Sequence, residues 1–203
     1  MAKEIELDAD RELNFREEED NCEKARALFK GDDTVAIPRV YYSHCTDKVM
    51  TMSYMDGIPI TNVAKLKAAH INLKDVARLL TEAYCKQIFQ FGFVHADPHP
   101  GNILIQPIKK GNNVIPKIIL LDHGLYEKFD DRSRGLYALL WLSIIKQQKQ
   151  YIKKCVRELG APMPKLFVSM LMNRRYEEVM DESLKYKLKS RLGNPSISVT
   201  RQR

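Results

Sequence analysis

Three side chains of a type and spacing suited to phosphate chemistry lie in two short runs. The first is His95-Ala96-Asp97-Pro98-His99-Pro100-Gly101-Asn102 and the second is Leu121-Asp122-His123-Gly124. Phosphoryl transfer has a loose transition state, so a protein that performs it mainly positions the nucleophile and neutralises charge with Mg²⁺. Asp97 would stand beside the attacking hydroxyl, orient it and take its proton late. Asn102 and Asp122 would offer the hard oxygens that Mg²⁺ prefers alongside retained waters, with Asp122 bridging to the nucleotide phosphates. A plain turn rich in Pro, Gly and Asn is the competing reading. Turn chemistry explains Pro98, Pro100 and Gly101 but not His95, Asp97, Asn102 and Asp122 together. His95 and His99 are too few to make a zinc site.

Elements must bring these groups to one place. Ile103-Leu104-Ile105 and the run from Val114 to Leu121 read as two short apolar strands joined by the polar turn Lys109-Lys110-Gly111-Asn112-Asn113. Such a hairpin would end at Asp122 and bring it back over Asn102. Residues 72 to 91 carry helical periodicity through Leu73, Val76, Leu79, Leu80, Ala83, Ile88 and Phe89, with Asn72 as a cap. This predicts a long buried helix before the loop that holds Asp97. Residues 131 to 159 and 163 to 191 read as further helices, capped at Asp130 or Asp131 and broken at Pro162 and Pro164. Trp141 and its Leu neighbours are expected in the core. Before the hairpin lies an acidic stretch over residues 10 to 30, which fits either a wet amphipathic helix or one with specific partners.

Three separated segments carry a resemblance to the UbiB/AarF-domain (ABC1) family of atypical kinases. They are Glu12-Leu13-Asn14-Phe15-Arg16-Glu17-Glu18-Glu19-Asp20-Asn21, then Pro38-Arg39-Val40-Tyr41 through Val49-Met50-Thr51-Met52-Ser53-Tyr54-Met55-Asp56-Gly57, then the run already quoted. The continuation His123-Gly124-Leu125-Tyr126 is similar to the eukaryotic AarF-domain-containing kinase 1 type. Agreement continues through Leu140-Trp141-Leu142 and Leu159-Gly160-Ala161, so it covers most of residues 10 to 190.

The resemblance implies an α+β, protein-kinase-like fold that is mainly the helical C-terminal lobe. Residues 1–57 would be a remnant of the nucleotide lobe, 58–193 the catalytic lobe and 194–203 a polar tail. Asp97 would be catalytic, Asn102 and Asp122 would hold Mg²⁺, and Ser53, Tyr54 and Met55 would belong to a hinge whose backbone reads adenine. Glu18 would pair with a nucleotide-orienting Lys, and Glu12 would open the Glu-x-Asp signature, with His95 and Gly124 supporting the metal turn. Asn14 stands where the family has Asp, which keeps an acceptor but loses the charge. Ser53 also departs from a more usual acid.

No Gly-x-Gly-x-x-Gly or Gly-x-x-x-x-Gly-Lys-Ser/Thr pattern occurs, and the nine glycines are scattered singly. Val35-Ala36-Ile37-Pro38 imitates the Val-Ala-Ile-Lys strand of kinases, but Pro38 has no amine. By the resemblance, the phosphate Lys, the Lys-x-Gly-Gln extension and the Ala-rich loop are expected upstream of Met1.

With 203 residues, 44% of them hydrophobic, the chain can bury one ordinary core. Its formal net charge of +7 is unevenly spread. Residues 1 to 23 carry ten acids and three bases, and residues 146 to 203 carry five acids and fourteen bases. The basic end suits a solvated face, an anionic membrane surface or, less well without a reading motif, nucleic acid. No apolar run approaches the ~20 residues of a spanning helix. Cys22, Cys45, Cys85 and Cys155 form no Cys-x-x-Cys pair and fit a reducing compartment or mere packing. The acidic start is neither a signal nor a transit peptide, so a mitochondrial location is implied only by the resemblance.

The expected activity is that of a UbiB-type atypical kinase or ATPase using MgATP, with nucleotide and a lipid or quinone-pathway component as partners. A small-molecule phosphotransferase of the aminoglycoside or choline kinase kind shares the His-x-Asp-x-x-x-x-Asn loop, although the acidic helix argues against it. A catalytically silent module that docks a partner or membrane is the third reading.

Overall fold

The computed structural model describes residues 15 to 181, so Glu12, Asn14 and the tail from 194 lie outside the described residues. These residues divide into two compact units, one ending at Phe129 and the other beginning at Asp130.

The first unit starts with helix α1, Phe15–Leu28. Its inward stripe is Cys22, Ala25 and, just past the helix, Phe29, at the spacing of one helical face. Glu18 and Asn21 continue that stripe toward the N-terminus, and Glu19 is also buried. The helix is therefore held partly by polar contacts. A strand-like pair follows, in which Tyr41 N–H donates to the Thr51 carbonyl and Ser53 N–H to the Arg39 carbonyl. Glu23 ties it to α1 by accepting from Val40 N at 2.9 Å.

A four-stranded sheet has the order β1-β5-β4-β2, with β1 Val35–Ala36, β2 Ile58–Pro59, β4 Ile103–Lys110 and β5 Asn113–Leu120. The β4–β5 hairpin is antiparallel from Ile103↔Leu120 to Lys110↔Asn113. It is longer than the sequence pattern predicts, because Pro107 sits within β4 instead of ending it. Pro107 faces Pro116, while β2 reaches only Leu104 and Ile105 and β1 only Ile118 and Ile119. The distal hairpin therefore has free outer edges, where a residue without N–H is tolerated. Ile103, Ile105, Ile118 and Leu120 join Val76, Leu79 and Ala83 in the core.

Those three come from α3, Leu73–Cys85, which follows the short α2, Val63–Ala68. Asn72 caps α3 by accepting from Lys74 N at 3.0 Å. The predicted helix does not stay α-helical to residue 91. It widens into a π-helical segment, Lys86–Phe91, that ends at Gly92 in the left-handed region. Next comes β3, Phe93–His95, which pairs antiparallel with β6, Tyr126–Lys128.

In the second unit, Asp130 caps α4, Asp131–Ile145, by accepting from Ser133 N. The periodicity that reads as one helix to 159 is two, because the chain turns at Gln147 with φ of 56° before α5, Lys149–Glu158. Pro164 opens α6, Pro164–Met172, where its missing N–H costs no bond. Asn173 in the left-handed region ends α6 ahead of the short α7, Tyr176–Val179, and residues 182 to 191 lie outside the described residues. Leu140 is fully buried with Ile144, Ile152, Val156 and Val168, but Trp141 is half-buried against the Tyr137 edge and Leu142 is exposed. Among the described residues no helix is long and apolar enough to cross a membrane.

Candidate active site

Two pairing registers bracket the functional loops. At the base of the hairpin, Leu121 N–H donates to the Asn102 carbonyl at 3.0 Å, which continues the β4–β5 register and sets Asp122 next to Asn102. On the other side His95 pairs with Tyr126 in β3–β6, and Ala96 N–H donates to the Leu125 carbonyl. The loop 96–102 and the turn 122–125 are thus each tied at both ends to the other. Local chemistry fixes the loop's shape. His99 Nδ1 accepts from Gly101 N at 3.1 Å, and a Cβ on Gly101 would meet that nitrogen at 2.9 Å, so a side chain at 101 would have to displace the His99 ring.

Asn102 Nδ2 donates to Asp122 Oδ2 at 2.9 Å, and Gly124 N–H donates to Asp122 Oδ1 at 3.0 Å. The carboxylate is oriented by two donors and stays only half-buried. Asp97 is exposed and lines, with Glu18, Ala96, Asp122, Gly124 and Leu125, one cleft of about 490 Å³. The structure therefore gathers Asp97, Asp122, Gly124 and Glu18 on one cleft, with Asn102 bonded to Asp122 behind it. Ser53 lines a separate recess with Arg26, Lys30 and Arg39, Tyr54 is 89% exposed, and Met55 accepts a hydrogen bond from the Ser53 hydroxyl. These three do not line the cleft of Asp122.

The turn is held from below by His95. Its buried ring donates from Nε2 to the Asp122 carbonyl at 2.6 Å and accepts from Asp97 N–H at Nδ1, which assigns the tautomer from its partners. Its own N–H is held by Gln87 Oε1 at 2.8 Å, a residue of the π segment. From above, Glu18 Oε1 accepts from His123 N at 3.4 Å. Burial raises the Glu18 pKa, the His123 N–H lowers it and the Asp122 charge raises it, with a net upward shift. An ionised Glu18 facing Asp122 lacks a cationic partner among these contacts, and a Lys reaching this cleft would find two carboxylates to pair with.

His123 is fully buried, donating from Nε2 to the Leu120 carbonyl and accepting at Nδ1 from the Tyr126 hydroxyl at 2.9 Å. Burial lowers its pKa from 6.5 to about 4, so the ring is neutral at ordinary pH. Tyr126 stacks on Phe93 at 4.2 Å, and Lys24 Nζ of α1 sits 4.1 Å over the same Phe93 ring. The sequence pattern assigns no role to Gln87, Asn21 or Tyr126, although Asn21 closes the acidic run and Tyr126 the His-Gly-Leu-Tyr run.

An ABC1 atypical kinase-like domain matches residues 1–156. The chain is 38% identical over 169 residues to an AarF domain-containing protein kinase 1 from Xenopus tropicalis, which covers 83% of this chain and 32% of that protein. It is 36% identical over 162 residues to a probable serine/threonine-protein kinase, abkB, of Dictyostelium discoideum, covering 80% of this chain and 24% of the other. The chain thus spans about a third or less of the length of these relatives. Among solved structures it is similar to Rv3197 from Mycobacterium tuberculosis, determined in complex with erythromycin, with a TM-score of 0.57 and 15% identity over 95% of this chain and 48% of that one. The fold is α+β and kinase-like.

Proposed function

The chain belongs to the ABC1 atypical kinase-like family, and from that premise we propose that it carries the catalytic part of an atypical kinase or ATPase that uses MgATP. The observation that carries the proposal is the 2.9 Å bond between Asn102 and Asp122 at the edge of a cleft that Asp97 also lines. Metal fit is supported by the donor chemistry, since a carboxylate and a carboxamide oxygen are the small set of hard ligands that Mg²⁺ accepts alongside waters and phosphate oxygens. The bound ion would neutralise the charge that develops on the transferred phosphoryl group.

Each residue has a matching task. Asp97, exposed on the cleft, orients the acceptor hydroxyl or water. Asn102 and Asp122 hold the ion, with Gly124 N–H and Asn102 Nδ2 aiming the Asp122 carboxylate. His95 fixes the backbone between them. Glu18 is the partner for a phosphate-orienting Lys from elsewhere in the complete protein. Ser53, Tyr54 and Met55 remain the hinge proposed to read adenine through backbone groups, and Glu12 remains the first acid of the Glu-x-Asp signature. A mitochondrial setting in lipid or quinone metabolism follows from the resemblance, and the exposed Lys146, Lys149, Lys153, Lys154 and Lys165 support an anionic lipid surface as a partner.

The test uses the complete protein, because the chain spans 32% of its frog relative. Asp122→Ala abolishes Mg²⁺-dependent nucleotide binding measured by calorimetry, and Asp97→Asn leaves binding intact while removing turnover. Undiminished Mg-nucleotide affinity in the Asp122 variant refutes the metal assignment.

A further inference from the structure

The turn that presents Asp122 is two successive peptides, and each of their four polar groups has a partner. In the Asp122–His123 peptide the carbonyl accepts from His95 Nε2 at 2.6 Å and the N–H donates to Glu18 Oε1 at 3.4 Å. In the His123–Gly124 peptide the N–H donates to Asp122 Oδ1 at 3.0 Å, and the carbonyl accepts from Asn21 Nδ2 at 3.2 Å. Two of these tethers come from α1, at Glu18 and Asn21, three residues apart and on one face. They differ in kind. Glu18 holds its N–H at long range and lies on the open cleft, whereas Asn21 is 7% exposed and neutral.

We propose that Asn21 is a positioning residue that fastens α1 to the metal-binding turn and keeps Asp122 aimed whether or not Glu18 is engaged elsewhere. The inference rests on the nucleotide-site reading above and deepens it. If Glu18 turns to a Lys, its bond to His123 N–H is given up, and Asn21 is then the remaining hydrogen bond from α1 to this turn among those described. An amide suits the task. It donates to a carbonyl with no charge to desolvate, next to Glu18 and Asp122, where a carboxylate would be repelled and could not donate. Loss of the donor leaves the His123 carbonyl buried without this partner and frees the peptide whose N–H orients Asp122 Oδ1.

Amide hydrogen exchange on this chain tests the geometry directly. Asn21→Leu keeps the branched side-chain skeleton and the helix but removes the donor. Exchange at the His123 and Gly124 amides is expected to quicken by about tenfold or more, with Ile118 and Ile119 of β5 unchanged. Exchange within about twofold of wild type at His123 and Gly124 overturns the proposal. Should the Leu variant melt as a whole, Asn21→Ala is read by the same criterion. In the complete protein, Asn21→Leu raises the Mg²⁺ concentration for half-maximal nucleotide binding about tenfold, while nucleotide affinity without Mg²⁺ is unchanged, a split that general loss of structure would not produce. Wild type that binds no Mg-nucleotide refutes the kinase reading, and the exchange measurement still decides the role of Asn21.

Discussion

Protonation of His123 should weaken the first unit as pH falls from about 6.5 toward about 4. The ring is fully buried, its pKa falls from 6.5 to about 4 through burial, and both nitrogens are bonded. The sign follows from proton counting. Between the folded and unfolded pKa the unfolded chain binds more protons, so the contribution is complete above about pH 6.5 and is lost as pH falls toward about 4. The full shift corresponds to about 3 kcal/mol, and about 2 kcal/mol of it is gone by about pH 5. The Tyr126 hydroxyl can rotate to accept from a protonated Nδ1, so the cost is mainly that of burying a charge. Urea unfolding at a series of pH values, followed by near-ultraviolet circular dichroism, measures it against His123→Phe, whose ring can lie against Tyr126 as the imidazole does. The variant starts less stable, because the Leu120 carbonyl and the Tyr126 hydroxyl lose a partner, but its stability should be flatter over this window. Glu18 and the other acids titrate in both proteins and cancel in the difference. Equal slopes for the two proteins between about pH 7 and pH 5 would refute the argument that a neutral, buried His123 supports the turn.

Glu18 gives the opposite sign. Its pKa is raised by burial and by Asp122, so ionisation disfavours the folded chain at neutral pH and stability is regained as pH falls through the folded value. Glu18→Gln, which can still accept from His123 N–H, should therefore melt higher than wild type at neutral pH, with the difference vanishing in acid; a lower melting temperature at neutral pH rejects this. Gly57→Ala would bring a Cβ to 2.9 Å from Leu104 Cβ and 3.2 Å from Ile119 Cδ1, and should cost about 1–3 kcal/mol in chemical denaturation. Asn72→Ala removes the α3 cap to Lys74 N and should cost about 1 kcal/mol, with no change in the exchange of the second unit's core amides.

What the sequence made legible follows its periodicities. The hairpin was readable because Ile103, Ile105, Ile118 and Leu120 alternate or cluster apolar residues around a polar turn, and its register carries Asp122 back to Asn102. The α3 face and the caps at Asn72 and Asp130 were readable for similar local reasons. The π segment was not, since one added residue per turn leaves the apolar spacing of Ile88 and Phe89 compatible with an ordinary helix. Nor was the break at Gln147, where a side chain other than glycine adopts positive φ and the composition carries no turn signal. Within the site, spacing pointed to Asp97, Asn102 and Asp122, which the fold brings together, and concealed their supports. Gln87 lies eight residues before the N–H it holds, and Asn21 acts on a carbonyl 102 residues away.

The polar inner face of α1 explains why its role was ambiguous and why it matters. A helix built only to pack would place apolar residues where Glu18 and Asn21 stand, and a wet helix would expose them. Here the apolar half, Cys22, Ala25 and Phe29, anchors the helix in the core, while the polar half reaches the backbone of the Asp122 turn. The aromatic stack repeats the link by other means, from Lys24 over Phe93 to Tyr126 and its hydrogen bond to His123. Displacement of α1 would therefore be felt at Asp122 through two hydrogen bonds and one stacked path, whereas Asp97 is tied to the turn through His95, without α1. On the proposed function, a shift of α1 is expected to change metal and nucleotide binding before it changes the placement of the acceptor hydroxyl at Asp97.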